Sequence, residues 1–324
     1  MCAQNQFLNY TDKNKWTRML HLVNANAQLL QPNIEQQFKK LAFIRLLFNN
    51  LLLCLIQYSG LNLSNLSSSP SPVWFATGTA CAFLFLRGYS VLPGIWLGNF
   101  LAYFFAKVGV GLAIAFATVI SLQAVILLWF SYRYLSPTLI FYKLPMYLQF
   151  IIFTAALTAT TSLTLLLLFA LSMPHKEILR LEWISLWLGN LNAILIFSCA
   201  YVTWDAYFSL AYTITTPHKL IRNTLYALVV CISVALALST TQATTCILAL
   251  ASLWVTVAIS VGFGWCGAMT ATFLSAILLS LAAFEETPAF HSPLTSSTII
   301  FLQCFLCVQT IIGLSIAIQR KKHW

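Results

Sequence analysis

The chain has 324 residues, of which 60% are hydrophobic and only 7% are charged, whereas about a quarter of an ordinary soluble domain is charged. Apolar runs of about twenty residues recur along most of its length, which is typical of transmembrane helices. This composition excludes a soluble domain and predicts an all-α, polytopic membrane helical bundle. The net charge of +10 is spread over loops, which favours membrane topology and lipid headgroups over nucleic acid as its explanation.

Residues 1–40 are predicted to form a cytoplasmic segment in which no cleavable signal peptide is visible. Apolar residues such as Trp16, Met19 and Val23 recur there at three- and four-residue steps beside basic ones. Two structures fit this stripe, an interfacial helix on the membrane or a cytosolic helix packed on the protein. Residues 41–319 are predicted to be membrane-embedded, and residues 320–324 to form a short basic cytoplasmic tail.

Hydropathy predicts about ten transmembrane helices. Those at Val73–Leu86 and Val91–Phe105 are short for a bilayer of about 30 Å. They could instead form one re-entrant hairpin, which leaves eight full spans. The ten are Leu41–Tyr58, Val73–Leu86, Val91–Phe105, Gly109–Phe130, Met146–Phe169, Trp183–Tyr201, Leu225–Leu238, Cys246–Gly262, Cys266–Phe284 and Thr298–Ile318.

The distribution of lysine and arginine predicts that both termini face the cytoplasm, because basic residues concentrate on that side of a membrane. Only Lys107, Lys176 and Arg180 then fall outside. The cytoplasmic side would hold the other fourteen of the 17, namely Lys13, Lys15, Arg18, Lys39, Lys40, Arg45, Arg87, Arg133, Lys143, Lys219, Arg222, Arg320, Lys321 and Lys322.

One tetrapeptide occurs twice, as Trp96-Leu97-Gly98-Asn99 and as Trp187-Leu188-Gly189-Asn190. In the ten-span topology the two copies lie on helices of opposite direction, which is the arrangement of inverted repeats in transporters. Four residues also recur by coincidence, and the sequence leaves both explanations open.

Uncharged polar and aromatic side chains at membrane depth indicate the candidate site. Polar groups in hydrocarbon cost free energy, so those that are present usually have a functional or a packing role. Amides offer both donors and acceptors, which suits a neutral polar ligand. Hydrogen bonds between packed helices are the alternative explanation. The candidate ligand-binding residues are Trp74, Thr77, Trp96, Asn99, Tyr103, Trp187, Asn190 and Asn192.

No pattern typical of an enzyme is present in the sequence. The five histidines lie in predicted loops or termini without the spacing of metal ligands. No glycine-rich phosphate loop or nucleophile elbow occurs either. We therefore expect no catalytic residues, no metal and no cofactor.

The segment around the two short spans resembles the membrane-associated sensor domain family, type one (MASE). It reads Pro72-Val73-Trp74-Phe75-Ala76-Thr77-Gly78, then Gly88-Tyr89, then Pro93-Gly94-Ile95-Trp96-Leu97-Gly98-Asn99-Phe100-Leu101-Ala102. A later family element is similar to Leu186-Trp187-Leu188-Gly189-Asn190, with Asn190 at a position where the family carries an acidic residue. The likeness is clear over 70–205 and thin from there to 320.

This resemblance implies a membrane input module of bacterial signal transduction. Members usually continue into a histidine kinase or diguanylate cyclase, whereas this sequence stops at Trp324. The expectation is thus a stand-alone sensory or ligand-binding module that acts through such a signalling partner. A transporter for a small solute is the alternative, supported by the repeated tetrapeptide and the amides at membrane depth.

Overall fold

The computed structural model describes residues 32–66, 73–135, 140, 143–172, 180–210, 219–239, 241–284 and 295–320. The predictions for residues 1–31 and for 321–324 lie outside this part of the chain. Two compact units are distinguished, Met1–Phe48 and Asn49–Trp324. The described part of the first unit, residues 32–48, is helical, and so is the described part of the second unit.

All regular structure in the described residues is helical, which confirms the predicted all-α class. Short 3₁₀ or π-helical turns follow three of the helices, at Gly88–Val91, Ser131–Leu135 and Ile194–Ser198. The helices are α1 (Pro32–Leu66), α2 (Phe75–Arg87), α3 (Leu92–Phe105), α4 (Val110–Phe130), α5 (Leu144–Ser172), α6 (Arg180–Ala193), α7 (Cys199–Leu210), α8 (Lys219–Ala237), α9 (Gln242–Phe284) and α10 (Thr295–Arg320).

Seven helical stretches in the described residues are long and apolar enough to cross a membrane. The count of ten or eight spans stays a prediction. The seven stretches are Phe43–Gly60, Phe75–Phe105, Val110–Leu135, Leu144–Ala170, Trp183–Trp204, Ala243–Ala283 and Ser297–Arg320, and Asn223–Ala237 is a shorter apolar helix.

The stretch Phe75–Phe105 is folded back on itself as a hairpin of α2 and α3. Gln57 of α1 reaches both arms, since its Nε2 donates to Thr79 Oγ1 at 3.0 Å and its Oε1 accepts from Asn99 Nδ2 at 3.4 Å. In a straight helix these two partners would be about 30 Å apart, at 1.5 Å per residue. The turn begins at Gly88, whose φ of 68° and ψ of −161° are open essentially to glycine alone.

The long helix α9 is a second hairpin of the same kind. Its residue Gly264 has φ 67° and ψ −156°, nearly the conformation of Gly88. Gln309 of α10 lies within 2.7 Å of Thr256 on one side of this turn and within 3.5 Å of Ser275 on the other. One side chain can reach both only if the arms, 242–263 and 265–284, run antiparallel.

The middle of the bundle is α6 together with the π-helical turn that follows it, where every residue from 188 to 200 is buried. Small residues permit this close packing. A Cβ atom on Gly78 of α2 would lie 2.4 Å from the carbonyl oxygen of Ala193, so only glycine fits at that position. As a result α2 lies directly against α6, which brings together two of the predicted polar segments.

Candidate functional site

The amino-terminal end of α2 is joined to α6 by backbone and ring contacts. The Trp74 amide donates to the Gly189 carbonyl oxygen at 3.2 Å. A Cβ atom on Gly189 would approach Trp74 Cδ1 to 2.9 Å, so the indole occupies the space that a larger residue would need. Trp74 and Gly189 therefore fix the height of α2 relative to α6.

A chain of three buried side chains runs across the bundle one turn further along. Thr77 Oγ1 of α2 donates to Asn190 Oδ1 of α6 at 2.8 Å, and Asn190 Nδ2 donates to Ser162 Oγ of α5 at 3.1 Å. Thr77 and Asn190 are each only 1% exposed and Ser162 is fully buried. Asn190 thus uses both ends of its amide to join three helices.

The opposite face of α6 makes a similar connection to α10. Asn192 Nδ2 donates to the Gln303 carbonyl oxygen at 2.8 Å, and Gln303 Nε2 donates to the Ser185 carbonyl oxygen at 3.0 Å. Asn192 Oδ1 and Ser185 Oγ are buried without a hydrogen-bond partner among the described residues. This connection therefore contains one carbonyl oxygen and one hydroxyl that can take part in a further hydrogen bond.

Asn99 belongs to a separate set of hydrogen bonds, in which Gln57 of α1 contacts both arms of the first hairpin. Its Nδ2 also donates to the Ile95 carbonyl oxygen of its own helix at 2.9 Å. Its Oδ1 is buried and has no partner in the described part of the chain. In Asn99, as in Asn192, the side-chain NH₂ group donates a hydrogen bond and the side-chain carbonyl oxygen accepts none from the described residues.

Two of the predicted aromatic residues, Trp187 and Tyr103, contact neighbouring helices. The Trp187 indole N–H donates to the Ala155 carbonyl oxygen at 3.0 Å, and its ring stacks on Trp183. The Tyr103 ring lies 4.8 Å from that of Phe116 of α4 and shares a small cluster with Trp74.

Trp96 is set apart from the other predicted site residues. It is half-buried, stacks on Phe100 at a centroid distance of 5.4 Å and donates to the exposed Thr118 Oγ1 at 3.1 Å. These contacts place it on the outer face of α3, away from the polar chain that joins α2, α5 and α6.

The repeated tetrapeptide performs the same packing task in both places. A Cβ atom on Gly98 would lie 2.5 Å from the Cys54 carbonyl oxygen of α1, as one on Gly189 would collide with Trp74. The asparagine that follows the glycine bonds to other helices in both copies. Asn99 bonds to Gln57 of α1, and Asn190 bonds to Thr77 of α2 and Ser162 of α5. The repeat thus has a physical explanation in helix contact, where small residues and polar side chains are both favoured.

Sequence reasoning missed three residues that hold these networks together: Gln57, Ser162 and Gln303. The signal that could have found the glutamines was available, because each is an amide inside an apolar run, the same feature that singled out the asparagines. Ser162 had no such signal, since a hydroxyl in a helix can equally bond its own backbone.

The chemistry that these groups can perform is hydrogen bonding without charge. No group of three or more histidine, cysteine, aspartate or glutamate side chains able to hold a metal occurs where the structure describes them. Two open clefts of about 380 and about 440 Å³, one between α9 and α10 and one between α4 and α5, are almost wholly apolar. Neither is lined by a predicted site residue.

A protein-family model matches most of the chain. Residues 45–322 match the family model MASE1. No curated protein and no solved structure matches the chain. The matched region extends beyond 70–205, where the resemblance is clear from the motifs, and includes all of the site described above. The chain therefore belongs to the MASE1 family, the membrane-associated sensor domains of signalling proteins.

Proposed function

We propose that this chain is a sensory module of the bacterial inner membrane that acts through a signalling partner of the histidine kinase or diguanylate cyclase type. The observation that carries the proposal is the MASE1 match over 45–322, because members of this family are sensor domains rather than catalytic ones. The hydrogen bonds between helices supply a physical means of sensing, because a ligand that competes for them can change how the helices pack.

The proposed sensing site is centred on Trp74, Thr77 and Asn190. Asn192 and Trp187 extend it along α6, and Asn99 and Tyr103 lie on α3, the second arm of the hairpin. Trp96 lies apart from them on the outer face of α3. Two arguments favour a neutral polar ligand: the site offers amides and indoles instead of charges, and the oxygens Oδ1 of Asn99 and Asn192 lack donors in the described residues. A ligand that donates hydrogen bonds would satisfy them.

A ligand changes the output of such a module only if it binds one helix arrangement better than another. The contact between Thr77 and Asn190 is suited to this, since it connects α2 to α6 and, through Ser162, to α5. A ligand that competes for either side chain would weaken the connection between the first hairpin and the centre of the bundle. The partner would then respond to the changed position of the hairpin.

The orientation with both termini in the cytoplasm is part of the proposal and has support from the packing. Leu84 and Val91 flank the turn that carries Arg87, and they share a core cluster with Ile318, two residues before Arg320. Arg320 in turn donates to the Val261 carbonyl oxygen beside the second turn. In the proposed orientation both arginines face the cytoplasm, where basic residues concentrate.

Co-purification with candidate partners tests the proposal. The chain would be co-expressed with histidine kinases and diguanylate cyclases of the same cell that lack membrane domains, and each complex would be assayed for catalytic output in proteoliposomes. We expect one partner to bind and to change its output when Asn190→Leu replaces the wild-type chain. Binding without any change in output would argue against sensing.

Transport is the competing function, and the same proteoliposomes test it. Accumulation of a small neutral solute that depends on the chain would contradict the sensory proposal. The repeated tetrapeptide does not favour transport, because both copies are accounted for by helix packing.

A further inference from the structure

An open cleft of about 440 Å³ lies between α4 and α5, apart from the polar site described above. Two of its lining residues, Phe130 of α4 and Phe153 of α5, stack with their ring centroids 3.6 Å apart. Phe116, which precedes Phe130, shares a hydrophobic cluster with Leu165, which follows Phe153, so the two helices run antiparallel. The cleft is lined by Phe130, Tyr134, Gln149, Ile152, Phe153 and Ala156.

The polar lining residues of this cleft, Tyr134 and Gln149, lie at the same end of it. Tyr134 is four residues after Phe130 and Gln149 is four residues before Phe153, so each lies about one helical turn from the stacked pair. Because the helices are antiparallel, both turns lead toward the same end of the bundle. Ala156 lies about one turn from the pair in the opposite direction. The cleft is therefore apolar along its length and polar at one end.

Positive charge stands beside the polar end of the cleft. Arg133 directly precedes Tyr134, Lys143 directly precedes the first residue of α5, and both basic side chains are exposed. These two are the only charged residues in the sequence from 110 to 172, which contains both helices. Neither helix therefore supplies a carboxylate that could pair with them. An anionic group at this end of the cleft would be attracted by both charges.

These three properties of the cleft specify its occupant. An apolar cleft open to the membrane takes hydrocarbon, a hydroxyl and an amide bond to ester oxygens, and arginine binds phosphate through paired hydrogen bonds. A phospholipid carries an acyl chain, ester groups and a phosphate in this order. We propose that the cleft binds an anionic phospholipid, with its phosphate at Arg133 and Lys143 and an acyl chain along Phe153 and Ala156. A zwitterionic headgroup would bring a cation of its own beside the two basic residues, which disfavours it.

Basic and aromatic residues near helix ends also anchor proteins in a membrane without selecting a particular lipid. Native mass spectrometry of the purified full chain separates the two cases, because it counts the phosphatidylglycerol or phosphatidylcholine molecules that stay bound. We expect about one phosphatidylglycerol to bind more tightly than phosphatidylcholine, by about fivefold or more. Arg133→Gln and Lys143→Gln should each weaken phosphatidylglycerol binding about fivefold, the effect of one basic residue near an anionic membrane surface.

Three further variants separate the cleft from general effects of charge and bulk. Arg87→Gln neutralises an exposed arginine outside the cleft lining, and it should bind phosphatidylglycerol normally. Ala156→Phe fills the apolar part of the cleft and should weaken binding, whereas Ala227→Phe adds the same bulk at an exposed position of α8 and should not. Equal affinity for the two lipids, an equal loss in Arg87→Gln and Arg133→Gln, or unchanged binding in Ala156→Phe would each overturn the assignment.

The lipid site does not depend on the proposed sensory function. Weaker phosphatidylglycerol binding in Arg133→Gln with an unchanged output of the signalling partner would support the lipid site and separate it from sensing. Failure to find a partner would leave the lipid measurement unaffected.

Discussion

Thr77 and Asn190 are separated by 113 positions in the sequence, yet the threonine hydroxyl donates to the asparagine carbonyl oxygen at 2.8 Å inside the bundle. The resemblance to the family leads us to expect an acidic residue at position 190, and the uncharged amide found there has both an acceptor and a donor. The donor goes to Ser162. The asparagine thus performs a connecting role that a carboxylate, which has no donor, could not perform in the same way.

Thr77→Val should destabilise the bundle by about 1–2 kcal/mol, because the isosteric valine leaves Asn190 Oδ1 buried without its donor. Unfolding of the purified chain in mixed micelles with increasing SDS measures the loss. Thr160→Val is the matched control, since Thr160 is exposed and bonds only to carbonyl oxygens of its own helix. Equal stability of the two variants would contradict the role assigned to Thr77.

Gly78→Ala should be more damaging than its small size suggests. The added methyl group would lie 2.4 Å from the Ala193 carbonyl oxygen, so α2 and α6 would have to separate. We expect a loss of about 1–3 kcal/mol, the usual cost of overpacking. Gly111→Ala is the control, because nothing lies within 4 Å of its added carbon. The two variants should differ clearly in SDS-induced unfolding, and similar curves would be evidence against close packing of α2 on α6.

The side chains of Gln57 and Asn99 should be energetically coupled. A double-mutant cycle with Gln57→Leu and Asn99→Leu isolates the contact between α1 and the second arm of the hairpin. We expect a coupling energy of about 0.5–1.7 kcal/mol, the range of hydrogen bonds between membrane helices. Additive effects of the two substitutions would show that Gln57 does not hold the hairpin.

Gly264→Ala should destabilise the second hairpin although there is open space around this residue. Its φ of 67° and ψ of −156° belong to a region that only glycine adopts readily, and forcing another residue there costs about 1–3 kcal/mol. Gly262→Ala, two positions earlier, also has open space but lacks the positive φ. A difference in Tm between these variants would confirm the turn, whereas equal values would indicate that α9 does not fold back at Gly264.

The sequence was sufficient to predict the helical class, the membrane environment and the family. Each of these depends on hydrophobic runs and short motifs, which are visible in the sequence itself. Both hairpin turns fall where the predicted spans are interrupted, at Gly88 and between Gly262 and Cys266. The start of α1 was not predicted, because hydropathy places the first span at Leu41 whereas α1 begins at Pro32. Proline is favoured at the first position of a helix, which explains the difference.

Partners within the site could be predicted only in part. The asparagines and tryptophans were identified as polar or aromatic residues at membrane depth, but nothing in the sequence pairs Asn190 with Ser162 or Asn99 with Gln57. Such pairs depend on which faces of the helices meet, and this is decided by glycine contacts such as that of Gly78 with Ala193. Trp96 illustrates the limit, because its sequence surroundings match those of Trp187 while its contacts lie on the outer face of α3.

The most direct measurement is the catalytic output of the signalling partner, reconstituted in proteoliposomes with the wild-type chain, Thr77→Val or Thr160→Val. If the contact between Thr77 and Asn190 controls the arrangement of helices, Thr77→Val should change kinase autophosphorylation or cyclase product formation by about fivefold or more, the size of a typical coupling energy. Thr160→Val should leave it unchanged. The same output from all three chains, with the partner bound equally, would contradict the account.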